Sequence, residues 1–258
     1  GVVNAVSGLG VMFSEENPTF MMKGLLSVLR FSHRRSSVRV IFQNHEDEQL
    51  FQGNRIVQPA NSLFIKGSGV DLDEFPYTPQ PADDIIKIIF TARMVKEKGI
   101  IELIEAAEIL RKDYENNVEF WLCGRLANNA DAISKEELLA RCDGKYIQWL
   151  DFQKDMRSVL ERSHIMAFPS YYREGVPKSL IDVCAVGRPI VTTNSIGCKD
   201  VVDDGVNGFL VPIKDSHALA EKLRVLIEDK DLRIKMGKAA REKAEKEFSL
   251  EGVVRKHL

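Results

Sequence analysis

From residue 86 onward the chain alternates short, mostly apolar runs with stretches of helical period, and this alternation restricts the fold more than any other feature. The apolar runs at 87–91, 118–123, 146–150, 165–168, 189–193 and 208–211 read as strands. Between and after them, 99–112, 134–141, 155–161, 177–186, 199–204, 216–228 and 231–247 read as helices. In the first of these, Ile101, Ile104, Ala107 and Ile109 recur at near-helical spacing. Strands separated by helices predict a parallel sheet with right-handed crossovers. Runs that are apolar throughout, rather than alternating, predict a sheet covered on both faces.

Upstream, VVNAV at the start, 38–42 and 62–65 read as strands, with a short polar helix at 45–51. The stretch DLDEFPYTPQPADD is rich in Pro and Asp and reads as a linker. The sequence opens at Gly1 without Met and enters a strand at once, which reads as the remnant of a larger N-terminal part; a processed protein is the plainer alternative. A net charge of −2 provides no global field for nucleic acid or an anionic membrane. Cys123, Cys142, Cys184 and Cys198 form no C-x-x-C pair and sit in or beside apolar stretches, as reduced thiols of a cytosolic protein do.

Open parallel sheets bind ligands outside the carboxyl ends of their strands. The polar and glycine content collects there. Arg93, Lys96, Lys98 and Gly99 follow the first strand after the linker, Gly124 and Arg125 the second, Asp151 and Phe152 the third. The fourth is followed by PSYYREGVPKS, containing Arg173, Glu174, Gly175, Val176, Pro177, Lys178 and Ser179. Pro177 fits a helix start, where its missing N–H costs nothing. The amides of Lys178 and Ser179 then stand as open donors at the positive end of a helix, suited to an anion. Arg93, Lys98 and that helix start together would balance a diphosphate, with charge-assisted bonds of roughly 1.5–3 kcal/mol each; ordinary loop cations are the alternative. Asp182 lies one turn into the same helix and can accept two sugar hydroxyls; a solvent-facing helix position is the alternative.

The stretch EGVPKSLIDVCAVGRPIVTTNSIGCKDVVDDGVNGFLVP resembles the donor-binding core of glycosyltransferase family 4. FTARMVKEKGI resembles that family's phosphate-binding segment, and GSGVDLDEF the segment entering its C-terminal domain. The likeness spans roughly residues 60–250 and is strongest to bacterial members that build capsule, O-antigen or lipid-carried glycans. It implies an α/β GT-B fold: a Rossmann-like, six-stranded donor domain over 87–258, a linker over 67–86, and over 1–66 the last part of a truncated acceptor domain. The last helix is expected to return to that acceptor domain.

The resemblance also implies roles. Arg93 and Lys98 would contact the diphosphate of a nucleotide-sugar, and Glu174 the transferred sugar. Asp182 stands where the family usually has a second Glu on the ribose, one methylene shorter. Asp151 and Phe152 would meet the base, while Gly124, Gly175, Val176, Lys178 and Ser179 would line the donor. The implied activity is retaining transfer of a hexose-type sugar, from a UDP-sugar, to a glycan or lipid-linked acceptor, without metal or cofactor. A non-catalytic nucleotide-sugar binding module and an epimerase of the same fold are the alternatives. The implied location is cytoplasmic, with peripheral inner-membrane contact through the absent N-terminal part. The loop Ser7, Gly8, Leu9, Gly10 resembles one facing the cleft, with Ser7 where many relatives carry His.

Two signals point elsewhere and are read as structural. Asp71 and Asp73 form a D-x-D that enters a proline-rich segment, as a turn or cap does. His33, His45, His164, His217 and His257 show no metal-ligand spacing.

Overall fold

A computed structural model of the chain describes residues 1–9, 20–35, 37–129 and 131–257. Gly10 of the loop singled out above lies outside them. Among the described residues the chain forms two parallel sheets.

The first sheet has the order β1-β2-β3, from Val2–Val6, Val38–Phe42 and Ser62–Phe64. Helix α1 (Phe20–Ser32) joins β1 to β2, and α2 (His45–Gly53) follows β2. Asn44 caps α2, accepting from the Asp47 N–H at 2.7 Å.

The second sheet has the order β6-β5-β4-β7-β8-β9, all parallel, built from Ile86–Thr91 (β4), Val118–Cys123 (β5), Ile147–Asp151 (β6), Ile165–Phe168 (β7), Ile190–Thr193 (β8) and Gly208–Val211 (β9). All residues of β7 and β8 are buried, Thr192 and Thr193 included, as strands covered on both faces are. The intervening helices are α3 (Ile100–Tyr114), α4 (Lys135–Arg141), α5 (Met156–Glu161) and α6 (Lys178–Val186); α7 (Ser216–Glu228) and α8 (Lys230–Glu247) follow β9. Packing of α3 on α7 and of α6 on α8 covers the two faces.

The chain leaves β4 toward β5 and β6 on one side, then returns to place β7, β8 and β9 on the other. The order therefore reverses between β4 and β7, and a crevice opens outside their carboxyl ends. The final helix, α9 (Leu250–His257), lies on the first sheet, where Val253 clusters with Ile41 and Ile65.

Two regions differ from the sequence-based expectation. Residues 199–204 form no helix: 199–201 are a turn and Asp204 bridges to Gly208. Asn207 takes over the backbone there: its Nδ2 donates to Val201 O at 3.0 Å and its Oδ1 accepts from the Asp203 N–H at 2.7 Å. Sequence pattern also assigns no element to α1 or α9. Asp71 does act as a turn cap, accepting from the Asp73 and Glu74 N–H groups at 2.9 and 3.2 Å.

Candidate functional site

The loops after β4 and β7 are pressed together at the crevice. Gly99 permits this: with φ +79° it sits against Pro169, whose carbonyl oxygen would lie 2.1 Å from an added Cβ. The Glu97 carbonyl accepts from both Tyr171 and Tyr172 N–H, at 3.0 and 3.1 Å. This lacing carries Lys98 to Glu174. The ammonium stands 2.5 Å from Glu174 Oε2 and lies over the Tyr172 and Phe168 rings, at 5.1 and 5.6 Å from their centroids. Glu174 Oε1 accepts from Ser170 Oγ at 3.1 Å. Sequence reading places these two residues at one sheet edge; the structure makes them direct partners.

Two cavities lie at this edge; Glu174 borders the second of them, and Lys98 lines neither. One, of about 350 Å³, is lined by Arg93, Gly124, Arg125, Phe152, Ser179 and Asp182 among others. The other, of about 390 Å³, is lined by Ser7, Gly8, Glu174, Gly175, Val176 and Lys178 among others. The expected donor-contact residues thus divide between two spaces. Arg93 is exposed and, among the described residues, pairs with no carboxylate. Helix α6 begins at the cavity without a side-chain cap, behind Pro177. Its first amides are donors left open by the local structure.

Asp182 is not a solvent-facing helix residue. Its side chain is 14% exposed and paired with Lys178 one turn earlier. Burial pushes its carboxyl above the usual range, opposed by the Lys178 ammonium. Lys178 therefore reaches the site through its side chain as well as through its amide.

At the far wall, Gly124 with φ +151° lets its loop approach Ala92, and its N–H donates to Asp151 O at 2.9 Å. A bulge in β6 pairs Cys123 with Asp151 and sets Asp151 at φ +54°, so that its Oδ1 accepts from the Phe152 N–H at 2.7 Å. Phe152 lines the cavity with Arg125 stacked on its ring at 4.0 Å, whereas Asp151 shapes the turn from outside. Cys123 also lines this cavity, but burial pushes its thiol up to about 12, too high for a nucleophile.

From the first sheet, sequence reasoning named the Ser7 loop but missed Gln43, Asn44, Glu46 and Asp47. Ser7, Gln43 and Asn44, at the carboxyl ends of β1 and β2, hydrogen-bond the main chain around Glu174. Arg173 pairs with Asp47 of α2, and Lys199 with Glu46 at 2.5 Å. The strand-end rule, applied to the QNHED segment after β2, would have found the first of these.

A family model described as glycosyl transferases group 1 matches residues 73–243, which hold every site residue of the second sheet. The chain belongs to the glycosyl transferases group 1. It is 33% identical over 168 residues to the Staphylococcus aureus capsular polysaccharide biosynthesis glycosyltransferase CapM, covering 65% of this chain and 43% of that one. It is 26% identical over 257 residues to the Campylobacter jejuni N,N'-diacetylbacillosaminyl-diphospho-undecaprenol alpha-1,3-N-acetylgalactosaminyltransferase, covering 93% and 64%. This group 1 chain thus spans less than two thirds of either relative. Among solved structures, Anabaena HepE in complex with UDP superposes with a TM-score of 0.82 at 20% identity, over 99% of this chain and 70% of that one. The group 1 chain accordingly has the GT-B fold, an α/β arrangement of Rossmann-like parallel sheets.

Proposed function

We propose that the chain holds the nucleotide-sugar site of a retaining glycosyltransferase, moving a hexose-type sugar from a UDP-sugar to a glycan or lipid-linked acceptor. The observation that carries this reading is the Lys98/Glu174 pair at the reversal of strand order, with Glu174 bordering a polar cavity and helix α6 contributing Lys178 to that cavity and Ser179 to a second one. In a nucleotide-sugar the bond to be broken joins the sugar to its diphosphate. A cation and a carboxylate in contact suit the two sides of that bond. Lys98, Arg93 and the α6 amides would take the charge growing on the leaving diphosphate. Glu174 would face the positive charge growing on the sugar ring. Charge placed in advance of reaction lowers the barrier without reorganisation. The cavity of Arg93, Ser179, Asp182 and Phe152 would take the nucleoside, with Asp182 on the ribose and the 151–152 turn near the base.

The known proteins support this reading. HepE was solved with UDP, and the Campylobacter relative is named for a diphospho-undecaprenol-linked acceptor. The cation set supports a site that works without divalent metal. Among the described residues no helix is long and apolar enough to cross a membrane.

Titrating UDP by calorimetry, with EDTA and then with Mn²⁺, tests the donor site. Binding unaffected by EDTA is expected. Affinity that vanishes in EDTA and returns with Mn²⁺ overturns metal independence, and no binding under either condition overturns the donor site.

A further inference from the structure

The side chain of Glu174 belongs to the second sheet, but its main chain is held by the first. Glu174 O accepts from Asn44 Nδ2 at 3.3 Å, and the Gly175 N–H donates to Ser7 O at 2.7 Å. The Val176 N–H donates to Gln43 Oε1 at 3.4 Å. There is no slack around this peptide. A Cβ on Gly175 would stand 2.3 Å from both Gln43 Oε1 and Ser7 O, and one on Gly197 would stand 1.6 Å from Gly175 O.

One residue earlier, Arg173 donates to Asp47 Oδ1 through Nε at 3.1 Å and Nη2 at 2.7 Å. Asp47 is fully buried, and its other oxygen accepts from Asn44 Nδ2 at 3.0 Å. Asn44 cannot turn away, since its Oδ1 caps α2. Its amide nitrogen therefore lies between the Asp47 carboxylate and the Glu174 carbonyl. A buried ion pair contributes little net stability, because desolvation offsets the attraction, yet losing one partner strands a charge. Such a pair favours one discrete geometry over intermediate ones.

We infer that Arg173 and Asp47 form a positioning pair: by docking α2 against the loop after β7, they fix Asn44 on the Glu174 carbonyl and so aim the Glu174 carboxylate at the reacting sugar. Transfer is then conditional on the two sheets being engaged. This inference rests on the role given to Glu174 above. Arg173 also borders the polar cavity, whereas Asp47 does not. A direct contact of Arg173 with substrate would therefore leave Asp47 dispensable, which separates the two ideas.

The test uses Asp47→Asn, Arg173→Gln and the double variant in the full chain. UDP-glucose and UDP-N-acetylglucosamine turnover, UDP titration and hydrogen exchange at the Gly175 amide are measured. Misplacement on the ångström scale lowers rates by up to about 100-fold. Each single variant is expected to lower kcat by about 10- to 100-fold, with KM and UDP affinity within about twofold. The double variant should be no worse than the poorer single, because the two residues act as one unit. Exchange at Gly175 should rise about tenfold or more in all three, with β4 and β7 amides unchanged. Wild-type kcat in Asp47→Asn beside a defective Arg173→Gln overturns the inference in favour of substrate contact. Multiplying defects in the double variant, or loss of protection throughout β4 and β7, also overturns it. If the wild-type chain binds UDP but turns over neither sugar, the Gly175 exchange decides the coupling by itself, with unchanged exchange overturning it.

Discussion

Lys98 and Glu174 meet across the point where strand order reverses, ammonium to carboxylate at 2.5 Å, each side chain less than one sixth exposed at 12% and 15%. The pair joins the loop after β4 to the loop after β7, so neither charge is isolated before substrate arrives. Glu174→Gln removes the negative member and leaves the shape nearly intact. Turnover of a UDP-sugar is expected to fall by about 10²–10³-fold, the scale of one well-placed electrostatic partner. UDP affinity should stay the same or tighten slightly, since Lys98 is released toward the diphosphate. Steady-state turnover beside UDP calorimetry checks this; weakened UDP binding in Glu174→Gln would place Glu174 on the nucleotide instead.

Asp182 offers the opposite pattern. Asp182→Ala is expected to weaken UDP by about 1–3 kcal/mol, because bound ribose hydroxyls would lose their acceptor. Its partner Lys178 is 49% exposed and can return to water, so the fold should tolerate the change. Asp182→Glu restores a carboxylate with a longer arm and should bind UDP at least as well as the wild type. UDP titration of the three proteins is the measurement. Unchanged affinity in Asp182→Ala would leave Asp182 as a helix residue that merely pairs with Lys178.

The fold was legible where one physical signal acted alone. Residues 118–123, 165–168 and 208–211 are apolar runs bounded by polar or turn residues, and the strands match them residue for residue. Segment 199–204 misled because a helix was read from the stretch itself, while Asn207, several residues on, held the backbone. The same contrast divides the site. Arg93, Lys98, Glu174 and Asp182 were found from their places after β4, after β7 and in α6, since the strand-end rule needs only the order of elements. Asn44 and Asp47 were not: the strand-end rule, applied after β2, places them at a sheet edge, but not against Glu174 and Arg173, which lie 130 and 126 residues away on a separate sheet. Spacing along the chain carries no information about which two sheets face each other.

Arg188 ties the linker to the second sheet from a fully buried position. Its guanidinium donates to the carbonyls of Thr78 at 2.6 Å, Ser163 at 2.7 Å and Glu161 at 2.9 Å, and to Thr78 Oγ1 at 2.9 Å. Among the described residues it has no carboxylate partner, and burial holds its pKa down to about 10, still charged at neutral pH. Arg188→Met keeps volume but leaves these acceptors without donors, so unfolding free energy should fall by about 4 kcal/mol. Arg188→Lys restores the charge without the planar fork and should recover only part of that loss. Urea unfolding at pH 7 decides; a loss below about 1 kcal/mol for Arg188→Met would mean that water replaces the guanidinium.

His164 sets a pH dependence of stability. It is buried at the start of β7, and its Nδ1 accepts from the Lys87 N–H at 3.1 Å, which leaves the neutral ring's proton on Nε2. Nε2 has no hydrogen-bond partner among the described residues. Burial, then the nearby Arg233 and Lys87 cations, hold its pKa down to about 4, against the Pro81 backbone, which favours the charged ring. In the unfolded chain a histidine titrates near 6.5. Between pH 6.5 and 4 the unfolded chain therefore binds a proton that the folded chain refuses, so stability rises with pH through that window. The contribution is complete above about pH 6.5 and amounts to roughly 3 kcal/mol for this one group. His164→Gln removes the titration while leaving the carboxylates that also respond to acid. Denaturant unfolding of both proteins at pH 7 and pH 4 isolates the histidine term as the difference between their losses. The wild type should lose about 3 kcal/mol more than the variant over that interval. Equal losses would show that the folded protein accommodates the imidazolium at no cost.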